Sequence, residues 1–373
     1  MRVAIIAQFP MHVVPGFQLK AEGHFATWLP QIAAAWSDNP DFEIHWLTAS
    51  KKVSHPEPVK WLGQTFHTIF VPEKLRTLRL YSRDCSLMKS KLKELRPDLV
   101  HAWGTEDCCG LAAARSGYPF LLSMQGILTE YARCIPPNIF ERVQSWIEKY
   151  VLKRARNITV ESTWGMNLMK TLAPHAQIER VEYGVSDYFY HIAWQPDEQE
   201  PYAIFVGSPC ERKGIRDALA AFSSPLLSNR KLLIAGGDAG IYSEVSPPNV
   251  VWLGRKSRDE TALLMSRASC LVLPTRADTS PNVVKEARVI GLPIVTTPHG
   301  GQTDYVIEDE TGYIVNAGDI ETLSNRISAI LKSPSLAQRL GNARHEEHRE
   351  WFRTQNTAAR FLGVYRRLAA SRP

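Results

Sequence analysis

Short apolar runs alternate with longer amphipathic runs along this chain of 373 residues. Short apolar runs are typical of buried β-strands, and longer runs with apolar residues three to four apart are typical of α-helices. Regular alternation of the two predicts a parallel sheet covered by helices on both faces. In the first half we expect strands at 2–7, 43–47, 66–71, 99–103, 120–124 and 158–160, with helices at 25–36, 86–95 and 139–156.

The same alternation begins again after a polar stretch at 193–202, which has the composition of a linker. We expect strands at 203–206, 232–235, 250–253, 270–273 and 294–296, with helices at 215–222, 259–267 and 282–290. The chain is also too long for one ordinary hydrophobic core. The prediction is therefore an α/β protein with two doubly wound, Rossmann-like domains facing a central cleft. The domains are 1–192 and 193–350, and a C-terminal helix at 351–373 is expected to pack back on the first.

The charge balance is mild, because 44 Lys and Arg residues face 38 Asp and Glu residues. A dedicated nucleic-acid binder usually carries a denser basic stripe, so we expect no nucleic-acid partner. The six cysteines form no C-x-x-C pair with matching histidines, so we expect no metal site and reduced thiols, as in the cytoplasm. We find no apolar run of the roughly 18 residues that a bilayer span needs.

The segment 273–295 carries the most chemical information, since a buried strand ends there in a polar loop before a helix. Free N–H groups at a helix start, together with the helix dipole, form an anion site at the carboxyl end of such a strand. We expect Ser280 to cap the helix and Pro281 to take the first helical position. Asp278 in the loop and Glu286 in the helix can then face one ligand at different depths.

This segment resembles the donor-binding motif of glycosyltransferase family 4, whose members are retaining nucleotide-sugar enzymes of the GT-B fold. The family's motif is Glu, seven residues, Glu, and here Asp278 and Glu286 stand at the two acidic positions. The resemblance implies that Asp278 contacts hydroxyls of the donor sugar and that Glu286 contacts the ribose hydroxyls. The shorter Asp side chain is a departure that can change which sugar fits. The family's backbone contacts to sugar and phosphates fall here on Thr279, Ser280, Pro281, Asn282 and Val283.

A second segment resembles the family's Gly-Arg-…-Lys-Gly sequence, which binds the donor pyrophosphate. A strand is expected to end at Gly207 and a helix to begin after Gly214. Lys213 matches the family's Lys, whereas Ser208 stands where the family has Arg, and Arg212 is the candidate for the second positive charge. Fixed cations stabilise the negative charge that develops as a nucleoside diphosphate leaves.

Two further segments of the second half are similar to the family. Residues 251–260 resemble the strand–turn–helix against which the nucleotide base lies, and they make Arg255 a donor-side candidate. Residues 298–315 resemble the family's Gly-Gly segment. Their two glycines, Gly300 and Gly301, are expected to allow a close backbone approach or a tight turn.

The first domain matches the family more loosely. Gly23 takes the position of close approach to the donor phosphates, and Gly16 in the preceding loop is the alternative. Gln125 stands where many members carry a His that faces the reacting sugar. A Gln can hydrogen-bond a sugar hydroxyl but cannot exchange a proton near neutral pH. His101 and Glu161, at two other predicted strand ends, are acceptor-side candidates.

The resemblance implies a retaining hexosyltransferase of polysaccharide biosynthesis that needs no metal and no cofactor. It would move a sugar from a nucleotide diphosphate donor to a hydroxyl of a glycan, glycolipid or small-molecule acceptor, with Asp278, Lys213 and Gln125 nearest to the reaction. Family frequency favours a UDP-sugar, with GDP-mannose as the alternative donor. Two other functions stay open: a sugar-nucleotide 2-epimerase on the same fold, and a non-catalytic sugar-nucleotide or glycan-binding protein.

Basic residues cluster in the first domain at 74–83, 89–96 and 149–156. In the family this domain receives the acceptor, which is often lipid-linked. A basic group beside an anionic leaflet gains about 1 kcal/mol. We therefore expect a cytoplasmic protein, and we expect these clusters to serve either as peripheral contacts to the inner face of the plasma membrane or as solvated, ion-paired helix faces.

Overall fold

The computed structural model describes residues 1–17, 26, 28–37, 39–50, 57–71 and 76–370. It divides the chain into two units, one of 1–184 with the segment from Thr354 onward, and one of Val185–Arg353. Each unit contains a sheet of predominantly parallel strands with helices, which confirms the predicted fold class.

The joint at Gly184 and Val185 precedes the polar stretch that suggested a linker. That stretch belongs to the second unit, because Gln195 N donates to Ser266 O at 2.8 Å and Asp197 N donates to Arg267 O at 2.9 Å. Its polar composition therefore does not mark the joint between the two units.

The first unit is built on an eight-stranded sheet in the order β3-β4-β2-β1-β5-β6-β7-β8. Neighbouring strands are parallel except β3 and β4, which are antiparallel. The strands are β1 (Arg2–Ile6), β2 (Glu43–Ser50), β3 (Val59–Trp61), β4 (Gln64–Phe70), β5 (Leu99–Trp103), β6 (Phe120–Ser123), β7 (Asn157–Val160) and β8 (Gln177–Arg180). The helices are α1 (Leu29–Ala35), α2 (Ser82–Leu95), α3 (Cys108–Ser116), α4 (Leu128–Cys134), α5 (Ile139–Leu152) and α6 (Thr163–Leu172).

The two faces of this sheet bury two separate apolar clusters. In the central strand β1, Ala4 and Ile6 pack into one cluster, and Val3 and Ile5 pack into the other. Successive side chains of a strand point to opposite faces, so a strand covered on both faces needs an unbroken apolar run. This is why β1 reads as a continuous apolar sequence.

The second unit has a six-stranded sheet in the order β11-β10-β9-β12-β13-β14, and all its neighbours are parallel. The strands are β9 (Tyr202–Val206), β10 (Lys231–Ala235), β11 (Val250–Trp252), β12 (Cys270–Leu273), β13 (Ile294–Thr296) and β14 (Gly312–Ile314). The helices are α7 (Asp187–Tyr190), α8 (Ile215–Phe222), α9 (Arg258–Arg267), α10 (Asn282–Ile290), α11 (Ile320–Lys332), α12 (Pro334–Asn342) and α13 (His345–Trp351).

The last helix, α14 (Thr354–Ala370), belongs to the first unit. Trp36 Nε1 donates to Ala358 O at 3.1 Å, and the Tyr365 hydroxyl lies 2.6 Å from His101 Nδ1. The helix thus covers one face of the sheet with apolar side chains that join the cluster around Val3 and Ile5. Within the described residues, none of the helices has the length and apolar character that crossing a bilayer requires.

Arg288 ties α10 to the helices that follow it. Its fully buried guanidinium donates to His348 Nδ1 at 3.1 Å, to Leu340 O at 3.4 Å and to Ala343 O. Burial lowers the pKa of Arg288 to about 10. The position of α10 therefore depends on one buried cation.

Replacing Arg288 with Ala is expected to lower the free energy of unfolding by about 3 kcal/mol, because several buried acceptors lose their donor. Urea denaturation of the purified chain measures this. Arg339→Ala is the matched control, since Arg339 is largely exposed and its loss should cost less than about 0.5 kcal/mol. Equal effects of the two substitutions would contradict this account of Arg288.

Candidate functional site

The loops that follow β9 and β12 lie side by side at the carboxyl edge of the second sheet. The chain runs outward from β9 to β11 on one side, then returns to β12 and runs outward on the other. This reversal of strand order is the place where open parallel sheets bind ligands. Two hydrogen bonds join the loops: Thr275 Oγ1 donates to Arg212 O at 2.9 Å, and Arg276 N donates to the same oxygen at 2.8 Å.

Asp278, Lys213 and Arg212 form an ion cluster where these loops meet. The Lys213 ammonium donates to Asp278 Oδ2, and Arg212 Nη1 lies 3.5 Å from the same oxygen. Burial raises the pKa of the Asp278 carboxyl, but the charges of Lys213 and Arg212 outweigh it and hold the pKa below its ordinary value. Three residues predicted from two separate motifs are thus brought together.

Two glycines allow this close packing. Gly214 has φ +74°, and a side chain there would collide with the backbone of Pro274. Gly300 has φ +150°, and its Cβ would collide with the backbone of Asp278. Gly301 N also donates to Asp278 O at 2.9 Å. Of the two alternatives for Gly300, the structure shows a close backbone approach, and the approach is to Asp278 itself.

The helix α10 has the predicted range of 282–290, but its cap differs from the prediction. Pro281 is the N-cap rather than the first helical residue, because its ψ of 112° is extended and the helix begins at Asn282. The prediction that Ser280 caps the helix is therefore wrong. The Ser280 hydroxyl lies 3.1 Å from the Tyr305 hydroxyl instead, and its backbone N–H donates to the Asp278 carboxylate.

The other predicted donor-side residues of this segment lie just before α10 or in its first two turns. Thr279 and Val283 are buried, and Asn282 is partly exposed. Glu286 lies four residues into α10 and is partly exposed. Burial raises the pKa of Glu286 to about 7, against the opposing charges of Lys285 and Arg258. This carboxyl therefore changes its charge near neutral pH.

The remaining donor-side candidates of the second unit follow the strands on one side of the reversal. Gly207 comes directly after β9 with φ +128°, and a Cβ there would meet no described atom within 4 Å. Ser208, which replaces the family's Arg, is exposed beside it. Arg255 is also exposed, but it follows β11, which lies two strands away from β9 at the sheet edge.

The catalytic candidate Gln125 and the acceptor-side candidate Glu161 lie at neighbouring strand ends of the first unit. Gln125 follows β6 and is partly exposed, and Glu161 follows β7 and is 5% exposed. Gly16, one of the two glycine candidates, is exposed with φ +95°. The other, Gly23, lies outside the described residues. The roles assigned to Gln125 and Glu161 stay predictions.

The prediction that His101 faces the acceptor is wrong. His101 is fully buried, its Nδ1 lies 2.6 Å from the Tyr365 hydroxyl, and its Nε2 lies 2.7 Å from Ser123 Oγ. Burial lowers the pKa of His101 to about 3. Both ring nitrogens are engaged inside the first unit, so this histidine joins β5, β6 and α14.

Glu106, which follows β5, is a further candidate that was not predicted from sequence. Its Oε1 accepts from Gly126 N at 2.5 Å, and its Oε2 accepts from Thr105 N at 2.8 Å. Burial raises the pKa of Glu106 to about 7. The available signal was a glycine just after each of two predicted strands, Gly104 and Gly126, with an acid close to the first.

The chain matches two protein-family models, one for each unit. Residues 20–187 match the model described as Glycosyltransferase Family 4, and residues 189–347 match the model described as Glycosyl transferases group 1. The models therefore meet close to the joint seen in the structure.

Individual proteins agree with the family models. Sulfoquinovosyl transferase SQD2 of Arabidopsis thaliana is 26% identical over 287 residues, covering 69% of this chain and 54% of that protein. The chain spans about half or less of the length of the curated relatives that it matches first.

Solved structures share the fold over the full chain. Sucrose-phosphate synthase from Thermosynechococcus elongatus has a TM-score of 0.82 at 19% identity, with 100% of both chains covered. HepE from Anabaena, solved in complex with UDP-glucose, has a TM-score of 0.70 at 13% identity, covering 98% of this chain and 99% of that one. With both family models matched in sequence order and two Rossmann-like units in the structure, the chain belongs to glycosyltransferase family 4 and has the GT-B fold.

Proposed function

We propose that this protein transfers a sugar from a nucleoside diphosphate donor to a hydroxyl acceptor, with retention of the anomeric configuration. The observation that carries the proposal is the ion cluster of Lys213, Arg212 and Asp278 beside the start of α10. Two cations and a helix start at a reversal of strand order are suited to a pyrophosphate.

The cluster provides the charge that departure of the diphosphate requires. As the bond between the sugar carbon and the diphosphate oxygen breaks, the acceptor oxygen bonds to that carbon from the same side. The acceptor proton passes to the leaving phosphate oxygen. Lys213 and Arg212 stabilise the developing negative charge, because fixed cations in a buried site need no reorganisation during the reaction. With these groups in place the proposal includes no metal ion.

Asp278 and Glu286 are proposed to bind different parts of the donor. Asp278 is held ionised by two cations, so it can accept hydrogen bonds from sugar hydroxyls. Glu286 lies deeper along α10, where its carboxylate would hold the ribose hydroxyls. We propose a UDP-sugar as donor, supported by family frequency and by the HepE structure of the same fold with UDP-glucose. GDP-mannose is the alternative.

A transfer assay tests the proposal. The protein is incubated with UDP-glucose, UDP-N-acetylglucosamine or GDP-mannose and a panel of glycan, glycolipid and small hydroxyl acceptors, and the product is characterised by NMR. A product with the donor's anomeric configuration is the expected result. An epimerised sugar formed from donor alone would favour a 2-epimerase. Nucleotide binding without transfer or hydrolysis across the panel would favour a non-catalytic binding protein.

We propose that the first unit contacts the membrane through the exposed residues of α5 and the residues after it. Trp146 is 53% exposed, and Ile139 and Phe140 at the start of the helix are also exposed. The exposed cations that follow are Lys149, Lys153, Arg154 and Arg156. An apolar side chain beside several cations is the composition of a surface that binds anionic lipid.

The alternative is that acids of the same helix pair with these cations, but two acids of α5 make other hydrogen bonds. Glu148 is buried and accepts from the backbone of Leu128 and Thr129, and Glu141 accepts from the Asn138 N–H in a capping box. By contrast, the other two basic clusters are partly engaged, because Arg76 pairs with Asp84 and Lys91 pairs with Glu94. The α5 surface is therefore the one that we propose for lipid.

Replacing Lys149 and Lys153 with Gln is expected to weaken binding to vesicles of 30% phosphatidylglycerol by roughly 30-fold at low salt, at about 1 kcal/mol for each cation. Co-sedimentation measures this. The matched control replaces Lys231 and Lys332 of the second unit, which are exposed lysines, and should leave binding unchanged. No sedimentation of the unaltered protein, or equal losses in both variants, would refute the proposal.

A further inference from the structure

We propose that Glu106 contacts the acceptor in the first unit, where its ionised carboxylate accepts a hydrogen bond from an acceptor hydroxyl beside Gln125. This inference rests on the proposed glycosyl transfer and assigns one residue of its acceptor side.

Backbone groups of two loops hold the Glu106 carboxylate in one position. Gly104 has φ +83°, and a side chain there would collide with Glu106 Oε2. A Cβ at Gly126 would lie 2.8 Å from Glu106 Oε1. The carboxylate is thus held between the loop after β5 and the loop after β6 by the N–H groups of Thr105 and Gly126. The loops after β5 and β6 therefore both contact the Glu106 carboxylate.

In this position the Glu106 carboxylate can still accept a hydrogen bond. A carboxylate offers about four lone-pair sites, and the backbone N–H groups of Thr105, Glu106 and Gly126 take three of them. A Cβ at Gly104 would lie 2.3 Å from Glu106 Oε2 and 3.3 Å from Gln125 Oε1, so these two side chains lie next to each other over the glycine. Both residues are partly exposed. A hydroxyl that approaches their exposed side can meet two polar groups.

A neighbouring acid shows what a purely structural carboxylate looks like in the same unit. Glu148 is fully buried and accepts from Leu128 N at 3.0 Å, Thr129 N at 2.8 Å and Thr105 Oγ1 at 2.9 Å. Its hydrogen bonds hold α4 against α5. Glu106 differs because it is partly exposed at the carboxyl edge of the sheet.

Burial is the main reason why the pKa of Glu106 is raised, to about 7. The Glu148 carboxylate of α5 adds to the increase, whereas hydrogen bonds from the backbone of Gly126, Glu106 and Thr105 lower the pKa. The ring of Tyr131 of α4 flanks the Gly126 side of the carboxylate, and the Tyr183 hydroxyl after β8 is close enough to sense its charge. The adjacent Asp107 is paired with Arg76.

The consequence is a pH dependence confined to the acceptor. Below pH 7 the protonated carboxyl loses accepting capacity, whereas above pH 7 the carboxylate accepts the hydroxyl. We therefore expect kcat/KM for the acceptor, at saturating donor, to rise roughly tenfold between pH 6 and pH 8. Saturating donor removes the separate titration of Glu286 from this measurement.

The test compares the unaltered protein with Glu106→Gln at saturating UDP-sugar over pH 5.5–8.5. The variant should have an acceptor kcat/KM lowered roughly tenfold to a hundredfold at pH 8, as for a lost hydrogen bond to a charged group, and a flat pH profile. UDP affinity, measured by calorimetry, should be unchanged. Glu130→Gln on the neighbouring α4, where Glu130 pairs with Arg133, is the matched control and should keep the original profile.

Two results would overturn the assignment. An unchanged acceptor kcat/KM and pH profile in Glu106→Gln would show that the carboxylate does not contact the acceptor. An equal loss of UDP affinity and acceptor kcat/KM would indicate a folding defect or a donor-side role instead. Absence of transfer by the unaltered protein would be a different failure, since it would refute the proposed function and this role with it.

Discussion

Lys213→Met is expected to lower kcat by about 100- to 1000-fold while changing the donor KM far less. Lys213 supplies a fixed positive charge where the leaving diphosphate develops negative charge, and removal of one such group typically has this effect. Single-turnover kinetics with a UDP-sugar measure the chemical step. Lys231→Met is the matched control, because Lys231 is an exposed lysine of the same unit that pairs with Glu200. A similar loss in both variants would contradict the assignment.

The ion pair with Asp278 makes a second variant necessary. Removing Lys213 alone leaves a buried carboxylate beside the more distant Arg212, which can lower stability. The double variant Lys213→Met with Asp278→Asn removes the unpaired charge. Stability should recover in the double variant, whereas kcat should stay low. Recovery of kcat would show that Lys213 serves only to neutralise Asp278.

Glu286→Gln is expected to weaken UDP binding roughly tenfold to a hundredfold at pH 8, because the ribose hydroxyls lose a charged acceptor. Calorimetric titration measures this directly. The matched control is Glu321→Gln, which changes an exposed glutamate near the start of another helix, α11. If UDP affinity is unchanged in a folded Glu286→Gln variant, the ribose is held elsewhere.

The same substitution should stabilise the protein at alkaline pH. The folded pKa of Glu286 is about 7 and its ordinary value is 4.5, so the folded state binds the proton more tightly than the unfolded state. Stability is therefore lost as the pH rises from 4.5 to 7. Glu286→Gln removes this cost, on the order of 3 kcal/mol above pH 7 and none below pH 4.5. Urea denaturation at pH 4.5 and pH 8 distinguishes the two, and equal effects at both would refute the shift.

The central strands and the site helices could be predicted from sequence because their signals are local. β12, β13, α8 and α10 have the predicted bounds, and β5 does as well. Each combines an apolar run with a clear stop, such as Gly291 after α10, which has φ +96°. The short strand β14 was not predicted, since one of its three residues is a glycine, a residue type depleted in strands.

Site residues were wrongly predicted or missed where their contacts involve residues far away in sequence. His101 looked available at a strand end, but its partner Tyr365 is 264 residues away in sequence. Glu106 was missed because its donor Gly126 lies on the next strand's loop, 20 residues later. The cap of α10 was misplaced because the proline ring fixes only φ, whereas the extended ψ of 112° that makes Pro281 the N-cap is left open by the ring.

The loops after β9 and β12, together with α10, are proposed to bind the nucleoside diphosphate of the donor. Calorimetric titration of UDP, GDP and ADP into the unaltered protein and into the double variant Lys213→Met with Glu286→Gln tests it most directly. The unaltered protein should bind one nucleotide per chain, and the affinity of the folded double variant should be lower by at least the roughly tenfold to hundredfold expected of Glu286→Gln. Equal affinity in both proteins, or no binding of any of the three nucleotides by the unaltered protein, would contradict it.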